Sequence, residues 1–168
     1  MTPTPTQPES KDFSKEVAAV AQRIKAIRDI IQTRGTFQFH IERFIAKQKI
    51  RVLAQDEPQC RVHQDGTRIH VAHDFALRGV AEGSDDTVFE ILATFSLRYE
   101  LVDEEPLSPE VLQAVGELNG RFNLTAYWRE YVQSCCLRCG LPPYPIEPFN
   151  AMRAISAGLK PKALPKPE

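Results

Sequence analysis

Residues 87–101 read TVFEILATFSLRYEL, and this stretch decides the fold class. Apolar side chains occupy every second position for seven repeats, which is the period of a β-strand buried on one face. They are Phe89, Ile91, Ala93, Phe95, Leu97, Tyr99 and Leu101. Upstream, Asp65-Gly66 is a two-residue hairpin signal between two further alternating segments, 60–64 and 67–80. The centre of the chain therefore predicts an antiparallel sheet.

The segments before this sheet predict a helix over 15–34 and then a bent strand that continues to about Leu53. Ser14 is a suitable N-cap for the helix, and Gly35 is a suitable terminator. The apolar residues of the helix are spaced by three and four, at Val17, Val20, Ile24, Ile27 and Ile31. From Thr36 the period changes to two, and it shifts around Arg43-Phe44, where we expect a bulge.

Two longer helices and a short one are predicted after the sheet. The first has Ser108 as its N-cap and stops at Asn119-Gly120. The second has Asn123 as its N-cap and ends before Gly140, and a short helix covers 151–157. The order of helix, strands and helices indicates an α+β domain with an antiparallel sheet.

The whole chain has 168 residues and a formal net charge of −1. These values argue against a basic nucleic-acid coat and against a disordered polyelectrolyte. No apolar run approaches the ~20 residues of a membrane helix, and we see no signal peptide. We therefore expect a cytoplasmic protein without membrane insertion, with reduced cysteines. Proline clusters predict disordered tails at 1–14 and 158–168 around a single domain at 15–157.

Charge is segregated along the chain. Residues 15–51 carry nine basic and three acidic side chains, whereas residues 85–117 carry nine acidic and one basic. The interpretation that we favour is complementary faces within one fold or between subunits. The alternative is a basic face for nucleic acid, but the interleaved aromatic and glycine-rich signatures of RNA-binding proteins are lacking. Nucleic acid is therefore not an expected partner.

Cysteine and histidine spacings raise a competing class, a zinc- or thiol-dependent module. Cys136 and Cys139 form a C-x-x-C, while Cys60 and His63 form a C-x-x-H, and together they could supply four zinc ligands. Buried free thiols are the commoner explanation of such residues. A reactive dithiol also belongs at a helix N-terminus, whereas this one lies at a C-terminus. We therefore expect no metal.

Catalytic signatures are lacking in this sequence. His70 and His73 would form a ligand pair on a helix, but on a strand their spacing sends them to opposite faces. There is no glycine-rich phosphate loop, no G-x-S-x-G and no H-E-x-x-H. We expect no catalytic residues, no cofactor and no enzymatic activity.

The segment 141–150, LPPYPIEPFN, is the candidate binding element. Four of its ten residues are prolines, and apolar side chains alternate with them. A solvated linker does not usually carry such side chains, whereas a stiff loop with outward apolar groups suits the wall of a groove for extended peptide. The candidate client-binding residues are Leu141, Tyr144, Ile146 and Phe149, together with Phe37 and Phe39 of the first strand.

The C-terminal third resembles the SecB export chaperones. In that family an aromatic-x-Arg-Glu helix, here Tyr127-Trp128-Arg129-Glu130, leads into a Gly-x-x-Pro crossover loop, then a Pro-x-Asn and a final helix. The matching residues here are Arg129, Glu130, Gly140, Pro142, Pro148 and Asn150. The alternating segment 85–101 is similar in pattern to the sheet of that family. The resemblance spans roughly residues 36–155.

This resemblance implies a four-stranded antiparallel sheet packed by C-terminal helices, with an extra N-terminal helix here. It also implies an ATP-independent holdase that assembles as a dimer of dimers, a homotetramer. Unfolded polypeptide clients would lie in apolar grooves, and the SecA translocase motor would be a partner. The helix with Tyr127, Trp128 and Tyr131 would pack between the sheet and a neighbouring subunit, so these three are the candidate interface residues.

Several features depart from the pattern of export SecB. A helix at Ser108-Pro109 replaces a strand, the helix at 15–34 precedes the first strand, and Ala151 stands where an aromatic is expected. The tail is rich in Lys and Pro, whereas export SecB usually ends in an acidic or polar segment. These departures resemble the SecB-like chaperones encoded with toxin–antitoxin modules. A dedicated antitoxin chaperone is therefore the alternative function.

Overall fold

The computed structural model describes residues 13–43, 49–55, 58–83 and 86–156. These residues form a sheet with a layer of helices against one face. The helices are α1 (Phe13–Arg23), α2 (Pro109–Val115), α3 (Arg121–Arg138) and α4 (Ala151–Ser156). The strands are β1 (Ile24–Phe39), β2 (Ile50–Ala54), β3 (Gln59–Asp65), β4 (Arg68–Ala81) and β5 (Thr87–Leu101). A 3-10 turn (Ile41–Arg43) follows β1, and a π-helix (Gly116–Gly120) joins α2 to α3.

The sheet is antiparallel, in the order β1-β5-β4-β2, with β3 also paired to β4. β3 lies along the first half of β4 and β2 along its second half, so both occupy the same edge. The described part of the chain therefore has five strands, one more than the four expected. The hairpin at Asp65-Gly66 is confirmed, because it joins β3 to β4 and Gly66 has a φ of 53°.

The core lies between this sheet and the helices. Every second residue of β5 from Phe89 to Leu101 is buried, as the alternation predicts. Tyr99 and Ile91 lie at the centre of this face, where they are 1% and 0% exposed. From the helix layer, α3 contributes the buried side chains of Leu124 and Val132 to the same core.

The N-terminal helix is present but is shorter than predicted. It ends at Arg23, and the rest of the predicted helix belongs to β1, in which Gly35 pairs with Ala93. Ile24, Ile27 and Ile30 are three residues apart in β1, yet they pair with Leu101, Tyr99 and Leu97 of β5, which are two residues apart. Bulges in β1 accommodate the extra residue between these pairs. The helical spacing of Ile24 and Ile27 is thus that of a bulged strand, whereas Ile31 of the predicted stripe pairs with Ser96 and is 54% exposed. β-Branched isoleucines favour this outcome once β5 offers a pairing partner.

The predicted strand after Thr36 is also interrupted. β1 ends at Phe39, and Ile41 lies in the 3-10 turn with 73% of its side chain exposed. The expected bulge at Arg43-Phe44 falls partly on residue 44, which lies outside the described residues. The chain re-enters the sheet as β2.

The break predicted at Asn119-Gly120 does not occur. α2 continues through the π-helix directly into α3. Gly120 remains helical because the segment presses against the sheet there: a Cβ at this position would lie 2.6 Å from Cγ1 of Val71. Asn123 is therefore not an N-cap, and its amide Nδ2 instead donates to the Tyr99 hydroxyl at 2.8 Å.

The other helix boundaries agree with the sequence. The Ser108 hydroxyl accepts a hydrogen bond from the Val111 backbone N–H at 3.3 Å, so it is the N-cap of α2. α3 ends at Arg138, and Gly140 follows with a φ of 67°. The short final helix is present as α4, although residue 157 lies outside the described residues.

The segregated charges pair within one fold, as the favoured interpretation predicts. Lys25 and Arg28 of β1 both contact the Glu100 carboxylate of β5, and Asp29 of β1 pairs with Arg98. Arg23 at the end of α1 pairs with Asp103 beyond β5. Three of the nine basic side chains in residues 15–51, Arg23, Lys25 and Arg28, therefore pair with acidic side chains of residues 85–117.

Of the predicted tails at 1–14 and 158–168, residues 1–12 and 158–168 lie outside the described residues, whereas Phe13 and Ser14 begin α1. Within the described ranges, no helix is long and apolar enough to cross a membrane.

Candidate functional site

An open groove with a cavity volume of about 780 Å³ lies beside the segment 141–150. Its walls come from this segment, from α3 and α4, and from the edge of the sheet near the end of β2. The lining residues are Ala54, Gln55, Pro58, Phe75, Ala76, Arg121, Thr125, Trp128, Tyr144, Pro145, Ile146, Glu147, Pro148, Phe149, Asn150, Arg153 and Ala154. Aromatic and aliphatic groups therefore meet in a concave surface, which is the usual character of a binding site.

The proline segment is fixed to the protein at both ends. Leu141 is 7% exposed, and its backbone N–H donates to the Cys136 carbonyl at 2.9 Å. A backbone hydrogen bond from Tyr144 reaches the Cys136 thiol, whose pKa is nevertheless raised by burial. At the other end, the Asn150 side-chain oxygen accepts from the Arg153 N–H at 3.0 Å, which caps α4. The segment thus forms an anchored wall.

The floor of the groove is aromatic. Trp128 of α3 is stacked on Phe75 of β4, with ring centroids 5.4 Å apart and planes at 17°. Phe75 in turn meets Phe95 of β5 edge-on at 6.1 Å. Trp128 is 5% exposed, so the floor is part of the core and its position is set by the core.

Charged side chains line the groove among the apolar ones. The Arg121 guanidinium carbon lies 4.6 Å from the centroid of the Phe149 ring, a cation–π arrangement. Glu147 and Arg153 also line the groove. The groove therefore combines an apolar floor with polar groups that can orient a bound chain.

Comparison with solved structures identifies a protein of similar architecture. The structure of the Rv1957 SecB-like chaperone of Mycobacterium tuberculosis, in complex with a ChAD peptide from the HigA1 antitoxin, matches with a TM-score of 0.71 and 26% sequence identity. The match covers 81% of this chain and 97% of that chain. This chain has a SecB-like fold.

The relationship is carried by structure, because no family model matches the sequence and no curated protein matches it. The resemblance drawn from the C-terminal motif and the α+β fold class are confirmed by the structural match. The fifth strand is a small difference from the expected sheet.

The groove contains three of the six predicted client-binding residues. Tyr144, Ile146 and Phe149 line it, whereas Leu141 is a buried anchor of the same segment. Phe37 and Phe39 lie on β1, opposite Ile91 and Phe89, and pack against the core without lining the groove. Their role in client binding stays a prediction.

Among the lining residues that the sequence did not indicate are Phe75, Arg121 and Thr125. Phe75 belongs to the alternation of β4 and is indistinguishable there from an ordinary core residue. Arg121 and Thr125 reach the groove because the π-helix carries the chain directly into α3. Because the sequence predicted a break at Asn119-Gly120, it did not indicate that α2 continues into α3.

The three candidate interface residues occupy different environments. Trp128 packs inside the chain, whereas Tyr127 is 43% exposed on the outer side of α3. Tyr131 is partly buried against β1, with its hydroxyl 2.8 Å from the point where a Cβ of Gly35 would lie. Tyr127 is the member of the three with most surface available to a second subunit.

The proposed four-ligand zinc set is not assembled. Cys60 and His63 lie on β3, where an odd spacing directs them to opposite faces. Among the described residues, the one group of three or more potential ligands is Cys60, His73 and Glu117, which contains neither Cys136 nor Cys139. The C-x-x-C and C-x-x-H motifs therefore do not combine into one zinc site.

The two histidines of β4 lie on opposite faces of the sheet, as the spacing predicts. His70 stacks on His63 of β3 with ring centroids 4.7 Å apart on the outer face. His73 is 0% exposed on the face covered by helices.

Proposed function

We propose that this SecB-like protein is a chaperone that holds a segment of unfolded or aggregation-prone polypeptide in the groove. The observation that carries the proposal is the groove itself, with its aromatic floor and its anchored proline wall. A cavity of about 780 Å³ is the size of a site for a drug-sized ligand, so it accommodates a few side chains of a client at a time.

The chemistry of the groove favours apolar and aromatic side chains of an extended chain. Trp128 and Phe75 form a fixed aromatic floor, while the partly buried side chains of Tyr144 and Phe149 line the wall. Such contacts tolerate many client sequences, because they depend on buried apolar area and little on hydrogen-bond pattern. Binding through such contacts is an equilibrium, so holding a client in this way would not need ATP.

A dedicated antitoxin chaperone is the second candidate. It is supported by the structural neighbour, which is a SecB-like chaperone in complex with a peptide from an antitoxin. The departures from export SecB in the sequence point the same way. Under this proposal the groove would hold one short segment of a single partner.

We further propose that the protein assembles into a homo-oligomer, a dimer of dimers. β1 pairs with β5 on one side, and within the described ranges no strand pairs with its other edge. Ile27 and Ile31 on this long edge strand are 43% and 54% exposed. A free edge with exposed isoleucines is a surface that a second copy can cover. Contact with SecA is a separate prediction of the family resemblance.

The test is suppression of client aggregation in the absence of ATP. The double variant Tyr144→Ser/Phe149→Ser removes two aromatic anchors from the groove wall. We expect client binding to weaken by at least about 2 kcal/mol, roughly 30-fold in Kd. A matched control is Phe122→Ser/Leu137→Ser, because these residues of α3 are 60% and 63% exposed and do not line the groove.

Equal binding by the two double variants would contradict the assignment of the groove. Light scattering of the purified protein tests the assembly, and a monomer would contradict the tetramer. Affinity capture from native cytosol then separates the two candidate functions. Recovery of one small partner selects the dedicated chaperone, and recovery of many unfolded proteins selects the general holdase. Co-purification with SecA in the same experiment tests the export role.

A further inference from the structure

Three side chains with metal-binding atoms meet on the helix-covered face of the sheet. Cys60 of β3 and His73 of β4 are paired across the strands, and Glu117 comes from the π-helix above them. One ligand atom from each residue lies within 4.8 Å of the other two. The set combines a thiol, an imidazole and a carboxylate, which are the three groups that zinc takes as protein ligands.

The π-helix brings Glu117 to this position. Single π-turns in helices are uncommon and are often found at functional sites. Glycines on both sides of Glu117 allow the turn to approach the strands: a Cβ at Gly116 would lie 2.9 Å from Sγ of Cys60. A Cβ at Gly120 would lie 3.3 Å from Nε2 of His73. The two glycines therefore allow close contact between the π-helix and strands β3 and β4.

The surroundings of His73 suit a metal ligand. Its side chain is 0% exposed, and Nε2 lies 3.0 Å from the Gly116 carbonyl oxygen, which can only accept a hydrogen bond. Nε2 therefore carries the proton, and Nδ1 has a lone pair for which the described residues supply no donor. A hydrogen bond from one ring nitrogen to a backbone carbonyl is the usual way in which a metal-binding histidine is oriented. Burial lowers the His73 pKa to about 4, so the ring is neutral at pH 7.

The two acidic ligands complete the set. Burial, together with the nearby Glu117 carboxylate, raises the pKa of the Cys60 thiol, so without a metal the thiol keeps its proton. The amide Nε2 of Gln113 donates to Oε1 of Glu117 at 3.0 Å and orients the carboxylate. Such partners of a ligand hold it in place for a metal.

We propose that Cys60, His73 and Glu117 form a zinc-binding site. On binding, Zn²⁺ forms bonds to the sulfur, one imidazole nitrogen and one carboxylate oxygen, and the Cys60 S–H proton leaves to solvent. The thiolate and the carboxylate then neutralise the two positive charges of the ion, which removes the cost of burying a net charge. A water molecule takes the fourth position. At zinc bond lengths the ligand atoms lie roughly 3.5 Å apart, so the cluster closes by about 1 Å.

The site would connect the β3–β4 hairpin to the helix layer directly behind the groove. His73 lies 5.9 Å from Phe75 between ring centroids, and Phe75 supports Trp128 in the groove floor. Zinc therefore stabilises the folded chain by mass action and fixes the strand that carries the floor.

The test uses the full chain, stripped with a chelator and then titrated with Zn²⁺ and, in parallel, with Co²⁺. We expect one equivalent of zinc per chain, a raised Tm, and a sulfur-to-cobalt charge-transfer band in the near ultraviolet. Cys60→Ser should abolish that band. Glu117→Gln should weaken Zn²⁺ binding by at least the roughly 10- to 100-fold that loss of a supporting partner costs.

Matched controls come from the C-x-x-C and C-x-x-H motifs, which do not combine into one zinc site. Cys139→Ser and His63→Gln should bind Zn²⁺ as the unchanged protein does, and circular dichroism verifies that each variant is folded. Less than half an equivalent of zinc in the unchanged protein would overturn the proposal. So would a cobalt band that persists in Cys60→Ser, or one that disappears in Cys139→Ser.

Discussion

Replacement of Trp128 by alanine separates a role in the core from a role at a subunit interface. Trp128 is 5% exposed within one chain and is stacked on Phe75 at 5.4 Å. Truncation of a buried Trp costs about 3–5 kcal/mol of unfolding free energy, because transfer and cavity terms add. About 0.5–1.5 kcal/mol of this belongs to the aromatic pair itself. Trp128→Phe keeps a ring on Phe75, so we expect a smaller loss of about 1–2 kcal/mol.

The assay is urea denaturation followed by circular dichroism at two protein concentrations that differ tenfold. If Trp128 acts within the chain, its effect is the same at both concentrations. If Trp128 holds subunits together and the variant no longer associates, only the unchanged protein gains stability with concentration, and the difference moves by about 1.4 kcal/mol per association step. Tyr127→Ala is the control on the same helix, because its side chain is 43% exposed and should matter by no more than about 0.5 kcal/mol in folding.

Two results would refute this reasoning. One is a loss below about 1 kcal/mol for Trp128→Ala, which would mean that the stack on Phe75 carries little of the stability. The other is a loss of unfolding free energy that depends on protein concentration, which would indicate that Trp128 lies at the subunit interface suggested by the family resemblance.

Three further changes probe the core, the π-helix and the cap. Burial raises the pKa of Tyr99 to about 12 from its ordinary 10.0, so the unfolded chain loses this proton first as pH rises. Between pH 10 and 12 the unchanged protein should therefore lose about 2 kcal/mol that Tyr99→Phe does not, as denaturant titrations at each pH would show. Gly120→Ala places a Cβ 2.6 Å from Cγ1 of Val71, and the overpacking of about 1–3 kcal/mol should outweigh the gain in helix propensity and lower Tm. Ser108→Ala should cost about 1 kcal/mol and Ser108→Gly only a few tenths, measured from the urea midpoints. Equal midpoints for the two Ser108 variants, or an unchanged Tm for Gly120→Ala, would contradict the contacts assigned to these residues.

The sheet could be predicted from the sequence wherever the pattern was local. The unbroken alternation of β5 and the Asp65-Gly66 turn each determine their own structure. β1 could not be predicted in the same way, because its bulges are defined only by pairing with β5. The spacing of three between Ile24 and Ile27 is helical in an isolated segment and becomes strand-like only against Leu101 and Tyr99.

Only one wall of the candidate site could be predicted from the sequence. Prolines alternating with Tyr144, Ile146 and Phe149 marked the segment 141–150, since neither a linker nor a regular element carries that pattern. The floor could not be predicted, because Phe75 and Trp128 are spaced as ordinary core residues. The proposed zinc site was hidden too, since Cys60, His73 and Glu117 lie on three elements and meet only through the π-helix.

The prolines in the groove wall have a consequence for solubility. An exposed apolar strip invites copies of the same protein to pair edge to edge, and backbone N–H groups are what such pairing requires. Pro142, Pro143, Pro145 and Pro148 remove four of these donors from ten consecutive residues. The wall can therefore line the groove with Tyr144, Ile146 and Phe149 while offering a poor template for a β-ladder. Under the proposed function, a protein that holds aggregation-prone chains would thereby be protected against aggregating through its own binding surface.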